Sequence, residues 1–396
     1  MTVPQLSFDR VTEPSRIDKR LLGLTWSHFL NDGAANYLPG ILPAVLVSLH
    51  EPVKMAGILM AALMIGQALQ PLMGWIADRL GGRSMLVIGL LFSSIGGALL
   101  GVASYTSVFI GLLLLIGVGN AMFHPQSLAL VRLMVRDRQG LSTSLFLIGG
   151  ELGRGIWPTI ASLIVVHFGL PSLWLFAVPA ILTTPFLLLW APKLPARKGR
   201  GQSIQWTKHL YPMSLLVGFA GFRAFVTLGM VTFIPIMWHF HGGTLVSGAT
   251  IITTLVSVGV IGNLGGGHLT DRLGRRPILL LSVVGTTILI PLVAVAHGPW
   301  IWVAAAFLGM ALFLSASTNI LIGQDIFPEN RSMGSGIALG LGNGVGAMLV
   351  FVTGFWSSEQ DITALFGVLT VASVLSGVFA LLFPKALVQK HSSAVH

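Results

Sequence analysis

Twelve stretches of the chain stay apolar for about 20 residues, the length that carries an α-helix across a hydrocarbon core about 30 Å thick. They lie near 21–48, 55–77, 85–103, 107–130, 141–166, 172–191, 212–238, 246–269, 277–296, 300–324, 333–357 and 362–384. Only 9% of the 396 residues are charged, against about 25% in an average soluble domain. A membrane β-barrel would instead show short segments alternating polar and apolar residues, because one strand face meets lipid and the other does not. Runs such as Leu112–Ile116 and Ile278–Leu281 do not alternate, so the spans are predicted to be helices.

The net charge of +10 does not point to nucleic acid once the basic residues are located. Of the 23 Lys and Arg, all but Lys54, Arg154 and Arg223 fall in the N-terminal tail, the even-to-odd span connections or the C-terminal tail. That asymmetry predicts a multi-pass protein of the cell (inner) membrane with both termini cytoplasmic. The chain has no cysteine, which rules out disulfides and thiolate metal sites. The N-terminal MTVPQLSFDRVTEPSRIDKR is polar, without a cleavable signal pattern.

Two loops repeat. Gly74-Trp-Ile-Ala-Asp78-Arg79-Leu-Gly81-Gly82-Arg83 is echoed 193 residues later by Gly267-His-Leu-Thr-Asp271-Arg272-Leu-Gly274-Arg275-Arg276. At the same offset, Arg138 ahead of a Gly-rich fifth span is echoed by Arg331 ahead of a Gly-rich eleventh. Equal offsets at two places indicate duplication of a six-helix unit. The predicted organisation is a tail at 1–20, a half at 21–191, a cytoplasmic linker at 192–211, a second half at 212–384 and a tail at 385–396. The linker concentrates Pro, Gly and basic residues, with a short surface helix predicted around Trp206.

The repeated G-x-x-x-D-R-x-G-R/G-R loop and the twelve-helix pattern resemble the major facilitator superfamily. That resemblance implies an all-α membrane fold of twelve transmembrane helices in two pseudo-symmetric six-helix halves, rocking around a mid-membrane site. It implies a gating role for Gly74, Asp78, Arg79 and Arg83, and for Gly267, Asp271, Arg272, Gly274, Arg275 and Arg276. Asp78 would latch against the N-terminal end of the eleventh helix, where the helix dipole favours negative charge. More narrowly, Ser27-His28-Phe29-Leu30-Asn31-Asp32 and Phe123-His124-Pro125 resemble the fosmidomycin-resistance type of drug:proton antiporter. Those exporters carry uncharged residues where this chain has Glu151 and Arg154, a departure that leaves a shared substrate unsupported.

Residues three, four and eight apart on a helix share a face, so His28, Asn31, Asp32 and Asn36 form one polar stripe. An ionised group at mid-bilayer costs about 2.5–3.5 kcal/mol on insertion scales. Asp32 is therefore expected to serve proton coupling or substrate, or else to hydrogen-bond a neighbouring helix. His28, one turn away, is suited to sharing a proton with it. Asn120, His124 and Ser127 share a face of the fourth span, which Pro125 is expected to bend. The resemblance places His124 on the transport path.

Glu151 and Arg154 are three residues apart and can pair, and Gly149, Gly150, Gly153 and Gly155 around them let a neighbouring helix approach. Arg223 has a fork suited to carboxylate or phosphate. It is expected to bind substrate together with Arg154, to pair with Asp32 or Glu151, or to snorkel to an interface. Asp32, Glu151, Arg154 and Arg223 sum to zero charge, so protonating a carboxylate would free an arginine.

The chain contains no P-loop, no H-E-x-x-H and no nucleophile paired with a base. The expected function is a secondary transporter acting as a monomer, with protons, a small molecule and the lipid bilayer as partners and with no cofactor, resident metal or enzymatic activity. The leading expectation is a proton-coupled exporter of a small anionic or zwitterionic drug-like compound or metabolite. The alternatives are a proton-coupled importer of an organic anion and a copper transporter using Met60 and Met64 or Met237, His239 and His241. In so apolar a chain, the methionine spacing also arises as packing.

Overall fold

Lipid offers no partner for backbone N–H and C=O groups, and an α-helix satisfies them within itself. The computed structural model describes residues 19–70, 72–73, 76, 83–134, 139–191, 206–328, 334, 336–355 and 362–389, and no strand occurs among them. Nine helices among the described residues are long and apolar enough to cross a membrane.

The first expected span is two helices, α1 (Lys19–Asn36) and α2 (Leu38–Ser48). Pro39, in the first turn of α2, has no N–H to offer the preceding turn. The Tyr37 hydroxyl holds the break by donating to the Gly97 carbonyl at 2.6 Å. Next come α3 (Met55–Gln67), α4 (Arg83–Leu100), α5 (Thr106–Met134) and α6 (Gln139–Phe168). A 3-10 segment, Leu170–Phe176, leads into α7 (Ala177–Trp190). α5 passes through Pro125 as a single helix of 29 residues.

The second half comprises α8 (Trp206–Phe240), α9 (Leu245–Leu273), α10 (Arg275–Val295), α11 (Trp300–Phe313), α12 (Ala316–Ile326), a π-turn Ile337–Leu341 continuing into α13 (Gly342–Gly354), α14 (Ile362–Leu382) and a short α15 (Lys385–Val388). Trp206 does not begin a separate surface helix. It opens α8, which runs 35 residues, about 52 Å at 1.5 Å per residue, and so extends past the hydrocarbon. The rest of the expected linker, 192–205, lies outside the described residues. Gly274 turns the chain between α9 and α10 with φ 86, a conformation that favours glycine because it has no Cβ.

Within the first half α1 packs along α6, and α5 packs against both α3 and α4; within the second, α9 packs along α11 and α8 along α13 and α14. The halves meet on two seams, α6 against α9 and α3 against α13, and α2 reaches across to α8 and α9. On the α6–α9 seam, the Thr159 and Thr253 hydroxyls lie 2.6 Å apart in a hydrogen bond. One turn of α6 back, Gly155 faces Ser257. A further turn back, on the side of the bundle that carries the chain ends, Glu151 faces a cavity.

Candidate functional site

The stripe on α1 faces α5 and α6 near the middle of the first half. Asp32, 3% exposed, is its centre. Its Oδ2 lies 3.3 Å from His28 Nε2 and its Oδ1 lies 3.3 Å from His124 Nε2. The two Nε2 atoms are themselves 3.3 Å apart. The side-chain amides of Asn31 and Asn120 each donate to Oδ1 at 3.2 Å. Asn36 does not join this group: its amide donates to the Asp32 backbone carbonyl at 2.8 Å, one turn back on its own helix.

The outer nitrogens of the two rings decide what the inner ones can do. His28 Nδ1 donates to the Phe146 carbonyl at 2.8 Å and His124 Nδ1 to the Asn120 carbonyl at 2.9 Å. A carbonyl only accepts, so both Nδ1 atoms carry their hydrogens, and each neutral ring turns a lone pair inward. Two lone pairs and a carboxylate then converge within hydrogen-bonding range. A proton on either ring turns that ring's contact with Asp32 into a charge-assisted hydrogen bond. The arrangement is three acceptors converging on one point, with the geometry to share a proton.

Close helix crossing makes this convergence possible. A Cβ on Gly150 of α6 would overlap His28 Nε2 and Asp32 Oδ2. Gly149 and Gly153 lie against the backbone of Thr25 and Phe29 on α1. The glycines around Glu151 therefore admit α1, consistent with small residues letting helix backbones approach.

Glu151 and Arg154 are both paired, as their spacing suggests: Arg154 Nη2 to Glu151 Oε1 is 2.9 Å. The same guanidinium reaches toward these acceptors, with Nε 3.6 Å from Asp32 Oδ2. Arg154 thus stands between the two carboxylates. Glu151 also lines a cavity of about 180 Å3 between the halves, with Asn263 and Gly267 of α9 and Ser317 of α12.

Arg223 is placed elsewhere. It is not among the ion pairs of the described residues, so it is a partner of neither Asp32 nor Glu151 there. Its guanidinium donates to Thr286 Oγ1 at 3.0 Å, Ser282 Oγ at 2.8 Å and the Leu312 carbonyl at 2.5 Å. Leu312 lies in the last turn of α11, just before the tenth span breaks at Leu314 and Ser315. A helix C-terminus leaves carbonyls without intrahelical donors and carries partial negative charge. Arg223 supplies both the donors and the positive charge, and so joins α8 and α10 to the end of α11.

Of the repeated loops, Gly74, Asp78 and Arg79 lie outside the described residues, as does the Asp271 side chain, so the expected latch falls there too. Arg83 donates to the Ala191 carbonyl at 3.2 Å. Arg275 pairs with Asp325 at 2.7 Å and donates to the Leu387 carbonyl at 2.8 Å, and Arg276 donates to the Phe383 carbonyl at 2.5 Å. These contacts stay within one half, and Arg272 is exposed.

Met60, Met64 and Met237 are buried in the apolar core. His28, Asp32 and His124 have donor atoms within 4.8 Å of one another, near enough to hold a metal ion. The Arg154 guanidinium on the same carboxylate opposes a second cation, and a proton satisfies the same atoms.

Polar residues of the second half complete the site, and the sequence reading missed them: Thr253, Ser257, Asn263 and Ser317. Ser317 stands 193 residues after His124, so the repeat itself pointed to it.

A helical bundle of two related halves, with charged groups held at its centre and a cavity on the seam, defines a membrane carrier. The chain belongs to the Major Facilitator Superfamily, whose family model matches residues 24–350 and 247–394. It is 27% identical to the uncharacterized MFS-type transporter YfnC of Bacillus subtilis (strain 168) over 90% of both chains. It is 22% identical to the fosmidomycin resistance protein of Escherichia coli (strain K12), over 94% of this chain and 95% of that one. Among solved structures it resembles a point mutant of the nucleoside transporter NupG with a TM-score of 0.74 at 17% identity, over 92% of this chain and 100% of the other. The last likeness concerns the fold alone.

Proposed function

We propose that the protein is a proton-coupled exporter of a small anionic or zwitterionic compound, drug-like or metabolic, acting as a monomer in the cell (inner) membrane with both termini in the cytoplasm. The observation that carries this reading is the convergence of His28 Nε2, His124 Nε2 and the Asp32 carboxylate, each ring fixed by a carbonyl on its far nitrogen. This proton trap binds one proton and is linked through Arg154 to Glu151 on the seam where the halves must part.

In the cycle, the trap loads a proton from one side and the halves rock to expose it to the other. The Thr159–Thr253 bond closes the α6–α9 seam away from the chain ends. The cavity beside Glu151 lies on the side of those ends, which the distribution of Lys and Arg assigns to the cytoplasm. A cavity on that side lets the carrier exchange cargo with the cytoplasm. Resemblance to a drug-resistance protein over nearly the whole chain favours export.

The test begins with a thermal-shift screen of phosphonates, carboxylates, amino acids and drugs, because a ligand that binds only the folded state raises its stability. With a hit, Asp32→Asn in proteoliposomes is expected to abolish transport driven by a pH gradient while retaining exchange of labelled for unlabelled cargo. Gradient-driven transport that survives this change would overturn the coupling role.

A further inference from the structure

We infer that the cargo carries a protonated amine, which binds Glu151 in exchange for the proton of the His28–Asp32–His124 trap, with Arg154 passing between the two carboxylates. The exchange rests on the proton reading above; the amine site stands without it.

Glu151 is 8% exposed, and its two oxygens differ. Oε1 accepts from Arg154 at 2.9 Å, whereas Oε2 has no hydrogen-bond partner among the described residues. A buried carboxylate oxygen without a donor is costly, and buried charges are normally paired. Ser317, across the cavity, donates its hydroxyl to Asn263 Oδ1 at 2.5 Å and so is turned away from Glu151. Among the described lining residues the side-chain amide of Asn263 is a neutral donor and none carries a positive charge, so an ammonium supplies the missing charge, with three N–H groups on a compact cation. Ile148, Val260 and Leu264 give its carbon substituent an apolar wall.

A purely anionic cargo fits worse than the sequence suggested. That expectation relied on Arg223 joining Arg154, and Arg223 is committed to Ser282, Thr286 and the end of α11. A zwitterion fits, since its acidic group can use Arg154, whose side chain is 38% exposed.

The charges account for the exchange. The groups facing one another are His28 and Asp32 on α1, His124 on α5, and Glu151 and Arg154 on α6; the α9 and α12 residues lining the cavity are uncharged. With one proton in the trap, two carboxylates are balanced by Arg154 and that proton. When the proton leaves, Asp32 faces two lone pairs and draws in the guanidinium, which is already within 3.6 Å. Glu151 is then released to the amine, and the sum returns to zero. Proton and amine exclude each other, which is antiport.

The experiment uses the purified full-length protein and three probes of one size: butylammonium, butanoate and butanol. Butylammonium is expected to raise the melting temperature, and the other two are not. Glu151→Gln should weaken butylammonium by about tenfold or more, the scale of one lost charge-assisted contact, while Glu151→Asp retains most of the affinity and confirms a sound fold. In weak buffer with a pH indicator, each butylammonium bound should release one proton. Asp32→Asn, which leaves the guanidinium on Glu151, should bind butylammonium more weakly and release no proton. An equal shift with butanoate, or unchanged affinity in Glu151→Gln, would overturn the amine site even where Asp32→Asn has lost gradient-driven transport. Amine binding without proton release in the unaltered protein would overturn the exchange.

Discussion

His28 and His124 meet through nitrogens 3.3 Å apart, and each touches a different oxygen of Asp32. Either ring alone can hold a proton against the carboxylate. His124→Gln should therefore keep part of the gradient-driven transport with an altered pH profile, whereas the double change His28→Gln with His124→Gln should lose it. Equal loss in the single and double variants, measured as initial rates in proteoliposomes across pH, would mean that the proton is not shared.

Gly150 has no room for a side chain, because a Cβ there would overlap both His28 and Asp32. Gly150→Val should cost about 1–3 kcal/mol of stability through overpacking and should abolish transport by displacing the imidazole. Melting temperature and transport are both read; a normal rate would show that the α1–α6 crossing relaxes without consequence.

Arg223 donates to two hydroxyls and to the end of α11. Removing it leaves those acceptors buried without a donor, so Arg223→Met should destabilise the protein by about 2–4 kcal/mol. Butylammonium affinity should remain unchanged. Lost affinity at unchanged melting temperature would return Arg223 to the cargo site.

The chain has no cysteine, so a pair introduced at Thr159 and Thr253 has no competitor. The two hydroxyls are 2.6 Å apart, and paired cysteines on facing helices should oxidise to a disulfide where the geometry allows it. Transport should stop on oxidation and recover with reductant. Undiminished transport in the oxidised protein would mean that this seam does not open.

The membrane helices were legible because long apolar runs have one solution in lipid. Their breaks were less so. Pro39 marks the break at Tyr37, but the hydrogen bond that holds it reaches Gly97 on another helix. The unbroken start of α8 at Trp206 was hidden because polar residues leaving the membrane carry no period to read. In the site, helical spacing placed His28 and Asp32 on one face, and intramembrane charge singled out Glu151 and Arg154. Asn36 follows the same spacing yet turns back to its own backbone. Arg223 misled because its partners are neutral hydroxyls and carbonyls, which leave no charge pattern. For the same reason Asn263, Ser317 and Thr253 escaped notice.

The proton trap draws its atoms from two helices and leans on a third: His28 and Asp32 belong to α1, His124 to α5, and the Phe146 carbonyl that anchors His28 to α6. Under the proposed coupling, a proton held there is a fastener as well as a charge. With it in place a charge-assisted bond joins ring and carboxylate; without it the Asn120 amide still ties α5 to Asp32 at 3.2 Å and His28 still holds α6 through the Phe146 carbonyl. Proton coupling at this point therefore carries a mechanical signature, and amide hydrogen exchange along α1 and α5 would register the proton's departure.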